Sequence, residues 1–468
     1  MANRIAPARR VAFDLLLELR QKPESHSDTL LRSKAVEALS ALDKNLATTL
    51  VMGVLRWQIL LEQRISANLT RADNRLLEPV QVALELGAFQ LLLLDRIPAH
   101  AAIFESVELA KVSGNPHAAG MVNAVLRKLA NGPKLETLPA PPLLAGEIAR
   151  VYAHPAWMVT RWAKAYGIAE ATAICRFDQQ PAPVTIRLMD SGAEALLREE
   201  GVRLEAASFV TRARRVVEGE ITSTRAYEER LVRIQDEGSQ LIAELAAGAG
   251  GARSTGGYSN QRYSILDCCA APGGKTAILA ERNPQSAITA CDIDPRRLRR
   301  MRNFLSKQNR QNSGEQISFR VLDVTELPYD QQFDLVLCDA PCSGTGTLAR
   351  NPEIRHRVTL AGLQRQHERQ VKLLFSAMKS LVRGGRLVYS TCSLEAEENE
   401  SVVSEARAGQ SDFRLLSWRD EMHALEAQGV LHAGSADRLL GQPGSDEFLR
   451  ILPGAPCDGF FAVVISRS

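Results

Sequence analysis

Apolar residues in the first third of the chain recur every three to four positions. Segments 11–19, 46–59, 80–94 and 104–111 all carry this spacing, which gathers their apolar side chains on one face of a helix. Short polar connectors such as "TRADNR" (70–75) separate them, and the pattern predicts a compact all-helical bundle. The stretch "NGPKLETLPAPPLLAGE" (131–147) then puts proline and glycine where a helix would have to continue, and reads as a linker.

A small mixed module follows. It holds an expected helix over 156–166 and the run "PAPVTIRLM", in which Val184, Ile186 and Leu188 alternate as in a strand. Arg212, Arg214 and Arg215 crowd together within it and read as a solvated face. From about residue 234 the pattern changes again. Apolar runs "SILDCCA", "SAITACDID", "ISFRVLDV", "FDLVLCDAP" and "GRLVYSTCS" alternate with helical stretches such as "PRRLRRMRNFLSKQ" and "LQRQHERQVKLLFSAMKSLV". Regular βα alternation predicts a doubly wound, mostly parallel sheet whose ligands lie at the carboxyl ends of the strands. The expected domains are 1–135, helical; 136–233, linker and small α/β module; and 234–468, a Rossmann-like α/β domain. A Gly/Ser-rich stretch at 246–260 reads as a surface loop of no assigned role.

Composition narrows the class. A chain of 468 residues, 45% hydrophobic and 24% charged, has material for several cores. No apolar run approaches a bilayer span, and the N-terminus lacks a signal-peptide core. Eight cysteines without a C-x-x-C pair argue against a disulfide scaffold and against zinc. The expectation is a reduced, cytoplasmic protein with no metal and no membrane, monomeric by default. The net charge of +3 permits a nucleic-acid partner, which local patches would have to hold.

The chemistry gathers at the strand ends. Four of the apolar runs end in or near an aspartate: Asp267, Asp292, Asp323 and Asp339. The turn "CAAPGGKT" after the first is no phosphate loop, because Cys269 stands where the nucleotide motif needs its first glycine. Asp292 is placed to accept from ribose hydroxyls and Asp323 from an exocyclic adenine amine. An acid-rich cleft repels phosphates and suits an adenosine with a cationic tail; S-adenosylmethionine is such a ligand and is the expected cofactor.

Two cysteines, Cys342 in "DAPCSG" and Cys392 in "YSTCS", follow neighbouring strands. Methyltransferases acting on exocyclic amines usually end the fourth strand in Asp/Asn-Pro-Pro-aromatic; here the aromatic is missing and a cysteine is present. Carbon 5 of cytosine offers no lone pair, and a thiolate adding at carbon 6 turns it into a nucleophile. Both thiols could flank one flipped base, and spacing alone leaves open which of them attacks. Cys268, Cys269, Cys291 and Cys338 sit inside strand runs and read as packing residues.

The motifs "PAHAAIFESVELAK", "MVNAVLRKL", "RIQDEGSQLIAELAA", "CAAPGGKT", "DAPCSGTG" and "YSTCSLEAEENE" extend over nearly the whole chain. Through them the chain resembles the bacterial RNA (cytosine-5)-methyltransferases, most closely the branch acting on 16S ribosomal RNA. The resemblance implies a NusB-like helical N-terminal domain and a class I S-adenosylmethionine-dependent methyltransferase domain. It implies that Cys269, Ala270, Ala271, Pro272, Gly273, Gly274 and Lys275 wrap the cofactor, with Asp292, Asp323 and Asp339 completing the site. It assigns the attack to Cys392 and assistance in product release to Cys342, with Asp339 bonded to the base and Lys275 orienting it. Nothing in the motifs themselves separates ribosomal RNA from transfer RNA or DNA as the substrate, and only the N-terminal resemblance points to ribosomal RNA. An inactive RNA-binding assembly or antitermination factor is the rival reading, against which the complete acid and cysteine set speaks. In the loop after Cys342, "TLARNPEIRHR" places Arg350, Arg355 and Arg357 where they are expected to contact phosphates around a flipped base. A second basic run, "DPRRLRRMR", reads as a solvated helix face.

Overall fold

The computed structural model describes residues 5–22, 25–69, 76–133, 144–248, 263–308, 316–327, 331–441, 445–454 and 456–468. The connector 70–75, the middle of the expected linker at 134–143 and the Gly/Ser loop from residue 249 to 260 lie outside the described residues. The chain divides into two compact units. One comprises Met1–Pro181 with Leu348–Arg357, and the other comprises Ala182–Thr347 with Val358–Ser468.

The first unit is helical. Helices Pro7–Gln21, Ala41–Ser66, Glu78–Leu93, Ala99–Val112 and Ala119–Ala130 turn the periodic residues inward, and Phe13, Leu16, Leu50, Leu61, Leu84, Leu86 and Leu126 are buried in one core. Ser40 starts the longest of them by accepting from Asp43 N. Helices Ala145–Val151, Ala156–Tyr166 and Ile168–Asp178 also belong to this unit.

Residues Leu348–Arg357 complete the same unit, and this corrects the expected role of Arg355. Arg355 is 1% exposed, its guanidinium donating to the carbonyl oxygens of Arg56 (3.1 Å), Ala153 (3.4 Å) and Asp178 (3.4 Å). Arg357 donates to Ser25 O at 2.7 Å and Leu19 O at 3.0 Å. Carbonyls at helix ends and in loops need donors when buried, and the planar guanidinium supplies several at once. Arg355 is thereby withdrawn from phosphate, whereas Arg357 is half-buried with two of its nitrogens on carbonyls. Arg350 is half-buried in the same segment.

In the second unit, strands β1 (Thr185–Leu188), β2 (Arg203–Ala206), β3 (Ala213–Glu218) and β4 (Val232–Ile234) form an antiparallel sheet in the order β2-β3-β1-β4. Ile186, Leu188, Leu197, Val202 and Val232 make its core. The three crowded arginines lie in and beside β3 and are paired: Arg212 with Glu281, Arg214 with Glu194 and Arg215 with Glu205.

The larger sheet contains β5 (Ser264–Asp267), β6 (Ala287–Asp292), β7 (Ile317–Val321), β8 (Phe333–Asp339), β9 (Leu381–Thr391), β10 (Phe413–Leu416), β11 (Leu449–Ile451) and β12 (Phe460–Arg467). Its order is β10-β12-β9-β8-β5-β6-β7, with β11 against β12. Strands β7 to β9 of that order are mutually parallel, as the βα alternation predicts, whereas β12 runs antiparallel to β9, β10 and β11. Buried Arg187 on β1 pairs with Glu244 (2.7 Å) and Glu281 (3.0 Å), fixing the small sheet to the helices Glu237–Ala247 and Gly274–Arg282. The second of these helices starts at the glycine turn.

Candidate active site

Strand register brings the site together. In the parallel pair β8–β9, Asp339 stands opposite Ser390. Cys342 lies three residues beyond the one and Cys392 two beyond the other, and both chains turn at the carboxyl edge of the sheet. The two sulfurs, Cys342 Sγ and Cys392 Sγ, lie 3.4 Å apart, and both residues are partly exposed. Hydrogen bonding with Cys392 and then burial raise the Cys342 thiol well above the usual thiol range. Either sulfur of this pair can serve as the donor to the other.

Asp339, the last residue of β8, is held from both sides. Lys275 Nζ donates to Oδ2 at 2.8 Å and Ser390 Oγ to Oδ1 at 2.8 Å. Lys275 Nζ also lies 5.6 Å from the centre of the Phe460 ring. Burial pulls the ammonium down, but the Asp339 charge and hydrogen bond outweigh it, and Lys275 ends above the ordinary lysine range.

Lys275 comes from the helix that follows the turn 269–274. Gly273 has φ +106°, a left-handed conformation that an L side chain rarely adopts, and an added Cβ would meet Met301 Cγ at 2.8 Å. Asp267 precedes the turn. It is 1% exposed, accepts from Thr276 Oγ1 at 2.6 Å, and its Oδ1 finds no hydrogen-bond partner among the described residues. Burial raises its carboxyl to about 7. Asp292 ends β6, with Oδ1 accepting from Asp294 N; Arg297 Nη1 lies 3.3 Å from Oδ2. Asp323 follows β7 and spends Oδ1 on Thr325 N and Oγ1.

This donor set fits a ligand with a cationic end and hydroxyl groups. A buried carboxylate oxygen lacks a donor, two further aspartates stand at the next strand ends, and the glycine turn lets a ligand approach the backbone. Cys269 to Lys275 and the aspartates 267, 292, 323 and 339 all gather at this one edge of the sheet. Among the described residues no group of His, Cys, Asp and Glu is arranged to hold a metal ion, and no helix is long and apolar enough to cross a membrane.

Several residues at the site carry no sequence signal of their own. Ser390 and Phe460 are ordinary strand residues until the register and the antiparallel return of β12 place them beside Asp339 and Lys275. Arg297 belongs to the basic run read as a solvated face; half-exposed, it nevertheless donates to Ala271 O at 2.7 Å and braces the turn against Asp292. Glu398 sits in the acidic run "EAEENE", which looks solvated, yet it is fully buried. The "CS" pair repeated in the two turns, with the acidic run after the second, is the one hint that could have found it.

Known proteins match this architecture piece by piece. Residues 258–466 match the family described as 16S rRNA methyltransferase RsmB/F, residues 6–131 the NusB family, and residues 154–216 a Methyltr_RsmF/B-like, ferredoxin-like domain. A probable ribosomal RNA small subunit methyltransferase B of Bacillus subtilis is 31% identical over 419 residues, covering 86% of this chain and 89% of its own. The ribosomal RNA small subunit methyltransferase B of Xanthomonas campestris is 30% identical over 436 residues, covering 91% and 89%. Among solved structures, a methyltransferase homolog protein from Pyrococcus horikoshii shares the fold with a TM-score of 0.53 at 23% identity, covering 69% of this chain and 99% of that one.

Proposed function

Because the chain belongs to the 16S rRNA methyltransferase RsmB/F family, we propose that it methylates carbon 5 of a cytosine in small-subunit ribosomal RNA, with S-adenosylmethionine as donor and Cys392 as covalent nucleophile. The observation that carries this reading is the pair of sulfurs 3.4 Å apart, beside a carboxylate held by a lysine and a serine. A methyltransferase acting on a nitrogen lone pair has no use for two adjoining thiols.

The cofactor, when bound, supplies an electrophilic methyl group on a sulfonium. Asp267, Asp292, Asp323 and the turn 269–274 would hold it. Cys392 thiolate forms a bond to carbon 6, and the electron pair of the carbon 5–carbon 6 double bond moves toward the ring carbonyl and N3. Asp339, oriented by Lys275 and Ser390, hydrogen-bonds the base there and steadies the developing charge. Carbon 5 receives the methyl group and then carries both methyl and hydrogen. Once Cys392 is bonded to carbon 6, the Cys342 proton passes to water. Cys342 thiolate then takes the carbon 5 proton, the double bond re-forms, and the carbon 6–sulfur bond breaks to return Cys392 as thiolate. One proton leaves per methyl group, and both cysteines end as they began.

The test is methyl transfer to 16S rRNA transcript. Labelled S-adenosylmethionine incubated with the full chain should place label in 5-methylcytidine after digestion to nucleosides. Label in another nucleoside, or none with the folded protein, overturns the reading; label on transfer RNA alone reassigns the substrate. Phosphate contacts dominate RNA affinity, so binding should weaken steeply with salt.

A further inference from the structure

One buried carboxylate reaches both cysteine turns. Glu398 Oε1 accepts from Ser343 N at 2.8 Å, and Oε2 accepts from Ser343 Oγ and from Ser393 Oγ, each at 2.5 Å. Gln370 Nε2 adds a donor to Oε1 at 3.3 Å while also donating to Pro341 O at 2.8 Å. Ser343 directly follows Cys342 and Ser393 directly follows Cys392. The two hydroxyls lie 3.2 Å from each other, so the serines meet at Glu398 as their neighbouring cysteines meet at the sulfur pair. Glu398 is itself fixed: Tyr389 OH donates to its carbonyl at 2.7 Å, and Asn399, next in the chain, is held by Thr391 Oγ1 and donates to Ser393 O.

Strand register alone cannot set the sulfur separation. Cys342 and Cys392 lie beyond the last paired residues of β8 and β9, where the ladder no longer constrains the chain. Gly346 N donates to Cys392 O at 2.9 Å, which ties the turns at one further point. Side-chain donors converging on a single acceptor group are what fix the remaining freedom.

We propose that Glu398 is a positioning residue that holds Cys342 against Cys392. It touches neither substrate nor cofactor and acts through the two serines and through its charge. The charge of Glu398 adds to the hydrogen bond with Cys392, burial and the Cys392 charge in raising the Cys342 thiol. The other titratable groups facing the pair are Tyr389 on β9, Lys275 from the helix after the glycine turn, and Asp339 at the end of β8. The inference rests on the reading of Cys392 as nucleophile and Cys342 as proton carrier.

The experiment compares the full chain with Glu398→Gln. An amide keeps the shape, and the serine hydroxyls can rotate to accept from it, so the variant retains most of its hydrogen bonds while losing the charge. Turnover is expected to fall on the order of 10²-fold, the loss a misplaced reacting group brings, while cofactor affinity holds. Alkylation of Cys342, followed by mass spectrometry across pH, should shift its midpoint to lower pH. Turnover equal to wild type, or an unmoved Cys342 midpoint, overturns the positioning role. Should Glu398→Gln not fold, Ser343→Ala removes one donor from the same carboxylate while leaving its charge, and a turnover equal to wild type in that variant overturns the positioning role. Trapping on RNA containing 5-fluorocytosine separates the two levels. A wild-type chain that forms no adduct overturns the nucleophile reading and the inference with it. A wild-type adduct beside an unaffected Glu398 variant overturns only the inference.

Discussion

Lys275 Nζ and Asp339 Oδ2 are 2.8 Å apart, joining the helix after the glycine turn to the end of the strand that leads into the Cys342 turn. Ser390 on the adjacent strand takes the other Asp339 oxygen, so the carboxylate has one orientation. Asp339→Asn would keep the shape but lose the charge that holds Lys275. Methyl transfer is expected to fall on the order of 10²- to 10³-fold, as when a group facing developing charge is lost, with the fold intact by circular dichroism.

The two cysteines should separate cleanly. Cys342→Ala is expected to accumulate a denaturation-resistant enzyme–RNA adduct, because the bond to carbon 6 forms and the carbon 5 proton has no acceptor. Cys392→Ala should form none. Gel electrophoresis after mixing with cofactor and RNA checks both, and an adduct found only in the Cys392 variant would exchange the roles.

Gly346 lies where two backbone carbonyls converge. A Cβ there would meet Gly459 O at 2.7 Å and Cys392 O at 2.8 Å, and backbone cannot swing aside as a side-chain end can. Gly346→Ala should destabilise the chain by about 1–3 kcal/mol in chemical denaturation. Because the displaced carbonyl belongs to Cys392, methyl transfer should drop as well, in protein that remains folded.

Burial raises Asp267 to about 7, above the ordinary carboxyl value of 3.8 that applies when the chain is unfolded. The folded chain therefore binds this proton more tightly, and the stability it confers is present below about pH 4 and lost as pH rises toward 7. Asp267→Asn has no such dependence. The stability of the wild type relative to this variant should decline between pH 4 and 7 by up to about 1.4 kcal/mol per unit, measured by urea unfolding in paired buffers.

Arg355→Ala would take one donor from each of three carbonyl oxygens and leave Arg56 as the remaining nearby positive charge on the buried Asp178. Removing one partner from a buried charged cluster costs about 3–5 kcal/mol. Hydrogen exchange should show protection lost in the helices Ala41–Ser66 and Ile168–Asp178, with the strands β5, β8 and β9 still protected.

The parts legible in the sequence share a physical cause. Four of the five parallel strands are largely buried, so they stand out as apolar runs, and the acids at the strand ends mark the ligand edge. The long helices show because each has one face in a core. Strands β10 and β11 are short and carry too few residues for an alternation to register. The fate of Arg355 and Arg357 was hidden for another reason. Charge in a loop beside a catalytic turn suggests solvent and phosphate, and only tertiary structure shows that their partners are carbonyls of residues more than a hundred positions away, in Leu19, Ser25, Arg56, Ala153 and Asp178. Glu398 was hidden likewise, one acid among several until burial sets it apart.

The chain leaves the catalytic sheet after Thr347, contributes Leu348–Arg357 to the helical unit, and returns at Val358. Within that segment Glu353 accepts from both the backbone and the hydroxyl of Ser27, and Arg355 satisfies carbonyls of Arg56, Ala153 and Asp178. Synthesis runs from the N-terminus, so the early helices emerge long before the peptide that completes them. The first-made part of this protein is thus the part that must wait, its interior closed only by a stretch translated after the Cys342 turn.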